Sequence, residues 1–382
     1  MPDSSPDLID QLAGLAPDSP VAALRREKPN LVAFAQASDQ SLLEPANPGD
    51  LSLLERHAVA YRVGLLTGFP VVEKRHRRRL LDFGRTDLAS HIERYPDVKL
   101  EPRLAAIIRH TDLVTLRPGD AGPEDIAALH AAGLTPAAVV TLGQLLGYLS
   151  YQIRAIAVAR AFAEGPEPVR APAKERPQAD PSTTQRAPRQ RLRFSSTRFD
   201  WQPWTATIAE GDATPEQWQV LDDVVPAMKR NPYYLLLAQD PEPLRQRTGL
   251  FNGIMKGEGG SEKSDRELAA VATSRVNGCV YCAAVHASAY NQMTGDTDQM
   301  QRILDEGINT QLRERERAIV NVSVKLTEDP AGFTAADLQP LRDLGFSDLE
   351  ILDITNGAAI FAWANRLLQT LGGSTLATPP TA

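Results

Sequence analysis

Apolar residues recur every three or four positions along most of the chain, a spacing typical of helices. One example runs from Leu51 to Leu66, where the apolar positions are Leu54, Ala58, Tyr61 and Leu65. Glycine and proline in the segment 67–70 would end this helix. The same criteria predict an irregular helical arm over residues 1–50 and helices at 71–83, 101–113, 123–132, 136–162, 215–229, 233–238, 241–255, 298–306, 312–325, 335–344 and 347–371.

Alternating runs rich in β-branched residues are nearly absent, so the predicted fold class is all-α. Residues 164–198 differ from the rest of the chain, because they are rich in proline, arginine, glutamine and serine and contain few large apolar side chains. Such a segment buries too little surface to offset the entropy of ordering it. We therefore predict two tandem helical-bundle domains, 1–163 and 199–376, joined by a proline-rich linker.

The two halves match each other at one constant offset in residue number, which is 212, the difference between 267 and 55. The matched pairs include Glu55 with Glu267, 58–60 with 270–272, 106–107 with 318–319, Pro118 with Pro330, Gly133 with Gly345, and Arg154 with Arg366. A match without gaps predicts two copies of one helical scaffold. In this alignment Cys279, Cys282 and His286 fall on Thr67, Pro70 and Lys74, so the first half would be a degenerate copy that lacks the chemistry.

The composition narrows the possible classes of protein. The 382 residues include 42% hydrophobic side chains, and the formal net charge of -7 gives no general attraction to nucleic acid or to anionic membranes. Residues 1–7 do not resemble a secretory signal, and no apolar run is long enough to span a bilayer, so we expect a cytoplasmic protein. The basic run 74–79 is interpreted as a solvated helix face, and Arg154 and Arg366 as buried salt-bridge partners.

The two cysteines of the chain lie in one stretch with the only histidine of the C-terminal half. Gly278 should end one helix, and Cys279 should begin the next. Cys282 and His286 then follow on the same helical face. A helix N-terminus favours thiolate over thiol, and the two-residue spacer lets the sulfurs form a disulfide. His286 could exchange a proton with the thiols, and Glu267 on the preceding helix could orient its imidazole.

Three other interpretations fit these residues. A structural zinc site needs about four ligands, whereas Cys279, Cys282 and His286 supply three, so a carboxylate, water or an interdomain contact would have to complete it. Alternatively, the cysteines are small buried core residues beside an idle His286. Glu267 could be a solvated helix charge without a chemical role. We expect no bound metal and no cofactor.

The spacing Glu-x11-Cys-x2-Cys-x3-His resembles the signature of the AhpD-like alkylhydroperoxidases in the carboxymuconolactone decarboxylase superfamily. Residues 345–348 and 363–366 are similar to the closing helices of that fold, and 231–252 to the approach segment of its peroxidase-related branch. The resemblance implies an all-helical bundle that assembles as trimers or pseudo-hexamers. Tyr281 stands where AhpD has a histidine, so one proton-handling group of that enzyme is absent here.

The same resemblance implies roles for the site residues. Cys282 would attack the peroxide, Cys279 would be the resolving cysteine, and Glu267 with His286 would form the proton relay. The helix-dipole argument alone favours Cys279 as the attacking thiolate, so the roles of the two cysteines remain exchangeable.

We therefore expect a thiol-dependent peroxidase or disulfide oxidoreductase that acts on a small peroxide or disulfide. Its partners would be an unidentified dithiol reductant and further copies of itself, as a dimer or as a trimer forming a pseudo-hexamer. One alternative is a decarboxylase or isomerase of a small carboxylic acid or lactone, although proton transfer needs no Cys-x-x-Cys. Another is a non-enzymatic redox-sensing or assembly protein. The first half would serve as a catalytically silent partner of the second.

Overall fold

The structure is a computed structural model that describes residues 7–164, 177–189, 192–209 and 211–376. The predicted linker falls partly outside this range, because 165–176 and 190–191 are not among the described residues. Most of the described chain is helical. None of its helices combines the length and the apolar character needed to cross a lipid bilayer.

The first half and the segment after it are built from short and medium helices. They are α1 (Leu8–Ala13), α2 (Pro20–Arg26), α3 (Pro29–Leu43), α4 (Leu53–Thr67), α5 (Pro70–Asp82), α6 (Thr86–Glu93), α7 (Pro102–Leu116), α8 (Pro123–Ala131), α9 (Pro136–Ala163) and α10 (Pro181–Thr184). Many begin with proline, which suits a first turn because its missing N–H is not needed there. A 3-10 turn at Pro118–Asp120 precedes α8.

The second half is also built mainly from helices, and it contains strands of one small sheet. Its helices are α11 (Pro215–Val224), α12 (Pro232–Leu237), α13 (Pro241–Lys256), α14 (Lys263–Asn277), α15 (Val280–Thr294), α16 (Thr297–Glu306), α17 (Glu314–Glu328), α18 (Ala335–Asp343) and α19 (Asp348–Thr370). Strands β1 (Phe199–Pro203) and β2 (Gly372–Leu376) pair in antiparallel fashion. Two 3-10 turns, Pro226–Met228 and Pro330–Gly332, lie between helices.

The all-α prediction is confirmed, with local differences. Helix α3 is a regular helix of 15 residues within the predicted irregular arm, and α6 was not predicted. The polar residues Ser38 and Asp39 hide the apolar pattern of α3, yet both are buried. Asp39 is satisfied there because it accepts hydrogen bonds from Gln152 at 2.9 Å and from Arg75 at 2.9 Å. The strands were missed because the Gly-Gly-Ser-Thr-Leu sequence of β2 carries no alternating pattern.

The long helices α9 and α19 pack against each other at the centre of the molecule. One apolar cluster contains buried residues from both halves. Gly147 of α9 lies against Trp363 of α19, and a Cβ at position 147 would stand 2.1 Å from Trp363 Cδ1. The indole Nε1 of Trp363 donates a hydrogen bond to Gln144 Oε1 at 3.0 Å. Because the halves share this core, their division into separate domains stays a prediction.

The described part of the predicted linker is held against the first half. The carbonyl of Gln178 accepts a hydrogen bond from Arg62 at 2.7 Å. The backbone N–H of Asp180 donates to Asp112 at 2.8 Å, and the buried Asp112 pairs in turn with Arg62. Residues 177–189 therefore pack on α4 and α7 before the chain enters the second half.

Arg154 and Arg366 hold the two halves together reciprocally, and their interpretation as salt-bridge partners is wrong. Arg154 of α9 donates to the carbonyl of Thr327 at 2.6 Å, in the last turn of α17. Arg366 of α19 donates to the carbonyl of Thr115 at 3.0 Å, in the last turn of α7. In each contact the arginine of one half meets the threonine of the other half, and the two arginines, like the two threonines, are separated by the predicted offset of 212. This reciprocity is the pattern of a two-fold interface. Carbonyls at a helix C-terminus carry partial negative charge, which suits a guanidinium.

The offset between corresponding helices is not constant. The bounds of α7 and α17 keep the predicted offset of 212, as do those of α8 and α18. At α4 and α14 the offset is 210, because the left-handed glycine that ends the helix is Gly68 in one and Gly278 in the other. Arg56 and Arg266, which share this smaller offset, both donate to the backbone carbonyls that precede their helices.

This shift corrects the predicted correspondence of the site. The counterpart of Glu267 is His57 and not Glu55. Phe69, Val72 and His76 stand where the second half has Cys279, Cys282 and His286. The sequence match was misleading because the identical Ala-Val-Ala segments 58–60 and 270–272 are 212 residues apart, whereas the helices that contain them are offset by 210.

Candidate functional site

The predicted helix hairpin around the cysteines is confirmed. Helix α14 ends at Asn277, and Gly278 follows in the left-handed conformation with φ of 76°. This conformation is easy only for glycine, and it reverses the chain. Cys279 is the N-cap of α15, and its backbone N–H donates to the carbonyl of Ser274 at 2.8 Å. Cys282 and His286 follow along α15, so one turn separates each from the next.

Glu267 contacts His286 directly. Its Oε2 lies 2.5 Å from Nδ1 of His286, and the two side chains are only 9% and 14% exposed. The imidazole is held between two rings, with Phe361 at 4.4 Å and Phe251 at 6.4 Å between centroids. The carboxylate therefore selects the tautomer that carries a proton on Nδ1, and Nε2 is left to exchange protons.

Both thiols are free and buried, with Cys279 2% and Cys282 3% exposed. Burial raises the pKa of Cys282, and the adjacent Cys279 raises it further, while a hydrogen bond from Asn365 and the charge of Arg247 lower it. Burial therefore outweighs the groups that favour the thiolate of Cys282. A thiolate forms at Cys282 only with help from the groups around it.

Asn365 of α19 is one such group. It is completely buried, and its Nδ2 donates to Ser274 Oγ at 3.0 Å. Its Oδ1 accepts a hydrogen bond from Asn277 at 3.0 Å. These bonds fix the amide between the end of α14 and the thiol of Cys282, so the donor is oriented before any reaction.

Arg247 of α13 is the second group. It is 4% exposed, it makes no ion pair with a carboxylate in the described ranges, and its Nε has no hydrogen-bond partner there. Its guanidinium lies over the rings of Phe251, at 5.0 Å, and Tyr233, at 5.9 Å. The hydroxyl of Tyr233 is buried without a partner in the same ranges. A buried cation and a buried hydroxyl thus lie beside the thiol without any other evident counterpart.

A cavity of about 130 Å³ reaches Cys279. Its lining includes Gly278, Cys279 and Trp204 together with the start of β2, and it does not include Cys282. The first cysteine therefore borders the space through which a small molecule could arrive, and the second does not line it.

The zinc interpretation finds no support. Among the described residues no group of three or more histidine, cysteine, aspartate or glutamate side chains is arranged to hold a metal ion. The alternative in which a fourth ligand joins Cys279, Cys282 and His286 therefore has no such arrangement behind it in that part of the chain.

Sequence reasoning placed Cys279, Cys282, His286 and Glu267 together, and it missed Arg247, Asn365 and Tyr233. Asn365 lies within the stretch 363–366, which the sequence analysis used only for the fold. Arg247 and Tyr233 carry no motif, and only the packing of α12 and α13 beside α15 brings them to the thiol.

The comparison with protein-family models concerns this same region of the chain. The model of the carboxymuconolactone decarboxylase family matches residues 241–308, which span α13 to α16. The chain is similar to a solved uncharacterized peroxidase-related protein from Silicibacter sp. TM1040, with 27% identity over 42% of this chain and 88% of that chain and a TM-score of 0.37. It is also similar to an alkylhydroperoxidase AhpD core, an uncharacterized peroxidase-related protein from Ralstonia eutropha JMP134, with 25% identity over 39% of this chain and 80% of that chain and a TM-score of 0.36. The comparison with curated proteins finds no match. Residues 241–308, which include Glu267, Cys279, Cys282 and His286, are thus the part of the chain that resembles the carboxymuconolactone decarboxylase family.

Proposed function

We propose that the protein is a thiol-dependent peroxidase or disulfide oxidoreductase whose two cysteines cycle between dithiol and disulfide. The observation that carries the proposal is the contact between Glu267 and His286 on the helix face that also holds Cys282. Thiol redox chemistry uses two reduced thiols with a proton-transferring group beside them. Here the thiols, the imidazole and its carboxylate lie within a few helical turns of one another.

In the first step Cys282 gives its proton to Nε2 of His286, and Glu267 stabilises the imidazolium that forms. The Cys282 sulfur then attacks the terminal oxygen of a hydroperoxide. The S–O bond forms, the O–O bond breaks, and the leaving alkoxide takes the proton from His286 to depart as an alcohol. The sulfur is oxidised to a sulfenic acid, and the peroxide is reduced.

In the second step the Cys279 sulfur attacks the sulfenic sulfur of Cys282. The disulfide forms, and the hydroxyl leaves with one proton as water. An external dithiol then restores both thiols by exchange, entering at Cys279 because that sulfur borders the cavity. The reductant becomes the disulfide, so the electrons of one dithiol reduce one peroxide.

Arg247 and Asn365 would make the first step feasible. The thiolate of Cys282 is costly in a buried environment unless a positive charge and hydrogen-bond donors face it. The unpaired guanidinium of Arg247 and the fixed amide of Asn365 supply both. The same groups, with the Tyr233 hydroxyl, would donate to the oxygen that the sulfur gains.

Burial of both thiols also suits a second candidate, a non-enzymatic redox-sensing protein in which disulfide formation changes contacts between copies of the chain. We propose a cytoplasmic homo-oligomer in either case, with the first half as a catalytically silent partner. The two candidates predict different outcomes in a turnover assay, because only the peroxidase or oxidoreductase would consume its substrate repeatedly.

The test is a thiol titration followed by a turnover assay. The chain has only two cysteines, so every thiol lost belongs to the site. After brief treatment with hydrogen peroxide or cumene hydroperoxide, two thiols per chain should disappear, and dithiothreitol should sustain turnover in the wild type but not in Cys282→Ser. Disulfide formation without turnover would favour the sensing protein. Two unreacted thiols would contradict both candidates.

A further inference from the structure

A second polar cavity, of about 390 Å³, lies where the two halves meet. Its lining includes the corresponding residues Arg154 and Arg366, Thr115 and Thr327, and Thr67 and Asn277. Both halves therefore contribute equivalent positions to one space. Its volume has room for about a dozen water molecules.

The two arginines in this cavity have no carboxylate counter-ion among the residues that the structure describes. Each is 5% exposed, and neither forms an ion pair with a carboxylate of the described residues. Arg154 donates to the carbonyl and the hydroxyl of Ser150, at 2.9 and 2.8 Å, in addition to the carbonyl of Thr327. Arg366 donates only to backbone carbonyls, those of Ala362 and Thr115, each at 3.0 Å. All of these oxygens are uncharged.

The environment of the two arginines disfavours their charged forms. Burial lowers the pKa of Arg154 to about 10. Burial, followed by the charge of Arg154, lowers the pKa of Arg366. The Nε of Arg154 is buried without a hydrogen-bond partner in the described ranges. Helix-terminal carbonyls offset part of each charge, but they leave two guanidinium groups that repel each other and one unused donor.

The carboxylates that line the cavity are engaged with other cations. Asp120 pairs with Arg117 at 2.6 Å, and Asp329 pairs with Lys325 at 2.8 Å. Glu328 is exposed at the mouth. These acidic residues therefore do not neutralise the buried arginines.

We propose that this cavity binds a small dianion, a phosphate-like oxyanion or a short dicarboxylate, with Arg154 and Arg366 as its counter-charges. A doubly charged ligand matches two facing guanidinium groups, and the free Nε of Arg154 gives it a charge-assisted donor. Thr67 and Asn277 lie on the same lining, where they donate to the carbonyl of Val63 at 2.7 Å and to Asn365 at 3.0 Å, so the charged donors come from the arginines. Binding would connect the two halves at their reciprocal contact, and it requires no chemistry at the thiols.

Isothermal titration calorimetry of the full-length protein tests this site, with inorganic phosphate in one arm, succinate in the other, and sodium chloride of equal ionic strength as the reference. We expect saturable binding of one dianion per chain, and the arm with the tighter binding identifies the class. Arg154→Gln and Arg366→Gln should each weaken it at least tenfold. Arg342→Gln, which removes a partly exposed arginine of α18, is the matched control and should bind like the wild type.

Two results would overturn the proposal. One is the absence of saturable binding of either probe to the wild-type protein at 10 mM ligand, a concentration about 100 times a typical submillimolar Kd. The other is unchanged affinity in Arg154→Gln and Arg366→Gln. If circular dichroism shows that a glutamine variant is unfolded, the lysine variants Arg154→Lys and Arg366→Lys replace it. They keep the charge and lose the planar donor set, so we expect weaker but measurable binding.

Discussion

Nδ1 of His57 lies 2.9 Å from Nδ1 of His76, and the two residues are 19 positions apart, the same separation as Glu267 and His286. An imidazole thus stands in the first half where the second half has the carboxylate. For this contact to be a hydrogen bond, one ring must donate and the other accept, so the accepting ring is neutral. Burial lowers the pKa of both histidines, which favours the neutral form of each. Without cysteines and without a carboxylate on His76, the first half cannot carry out the same relay.

Acid should destabilise the protein through its buried histidines. Burial lowers the pKa of His57 and of His110 to about 4. In the unfolded chain histidine titrates near 6.5, so the unfolded state binds more protons between these values. The stabilisation is complete above about pH 6.5 and is lost as the pH falls toward 4, by up to about 3 kcal/mol per histidine. Glu44, Arg75 and Arg79 face His57, and the two arginines oppose its protonation.

Urea unfolding at pH 7.5 and pH 5.0 measures this loss. His110→Gln should lose less stability between the two pH values than the wild type, because one buried titration is gone. His91→Gln is the control, since this histidine is only partly buried, and it should behave like the wild type. Equal losses in all three proteins would contradict the assignment to His110.

Glu267 should affect the rate of the reaction, whereas Glu55 should affect only the stability of the fold. Glu267→Gln removes the charge that supports the His286 imidazolium, so the rate of disulfide formation by peroxide should fall about 100-fold, the lower end of the range for general acid–base catalysis. Glu267→Asp should recover part of the rate, and the pH dependence of the reaction should change. A wild-type rate in Glu267→Gln would remove the relay from the mechanism.

Glu55→Gln provides the matched control. Glu55 accepts hydrogen bonds from the backbone N–H of Ser52 at 2.8 Å and from Arg103 at 2.7 Å, which completes the capping box of α4. Its loss should lower the free energy of unfolding by about 1 kcal/mol. The rate of disulfide formation should remain that of the wild type.

Arg247 should control how readily Cys282 ionises. In a Cys279→Ser background, Arg247→Gln should raise the pKa of the remaining thiol by about one unit, which reduces the thiolate about tenfold. Arg247→Lys should retain part of the effect. The pH profile of alkylation by iodoacetamide reports this pKa, whether or not peroxide is the substrate.

A matched arginine tests the specificity of that effect. Arg160 lies over the ring of Phe69 at 5.3 Å, in the half without cysteines. Arg160→Gln should leave the alkylation profile of Cys282 unchanged. If both glutamine variants shift it equally, the effect is general and does not arise at the thiol.

Gly147→Ala should weaken the contact between the halves. The added methyl group would overlap Trp363, so we expect a loss of about 1–3 kcal/mol in urea unfolding. Gly211→Ala is the control, because a Cβ there would meet nothing within 4 Å. An unchanged free energy of unfolding in Gly147→Ala would contradict close packing of α9 against Trp363.

Much of the fold was predictable because helices leave a local signal. The hairpin of α14 and α15 follows from Gly278 and from the apolar spacing around it, so the four motif residues were found from sequence. The register between the halves was not predictable, since the identical segments 58–60 and 270–272 indicate an offset of 212 while α4 and α14 are offset by 210. The partners of Cys282 were not predictable either. Arg247 and Asn365 belong to α13 and α19, and only tertiary packing brings helices so far apart in sequence to one thiol.

The shared core of α9 and α19 has a consequence for how the chain is made. About 185 residues separate the end of α9 from the start of α19, and a ribosome adds about 5–20 residues per second, so α9 waits roughly 10 to 40 s for its partner. During that interval the groove at Gly147 has no indole to fill it. The side of α9 that packs against α19 therefore stays uncovered by its partner until synthesis is almost complete.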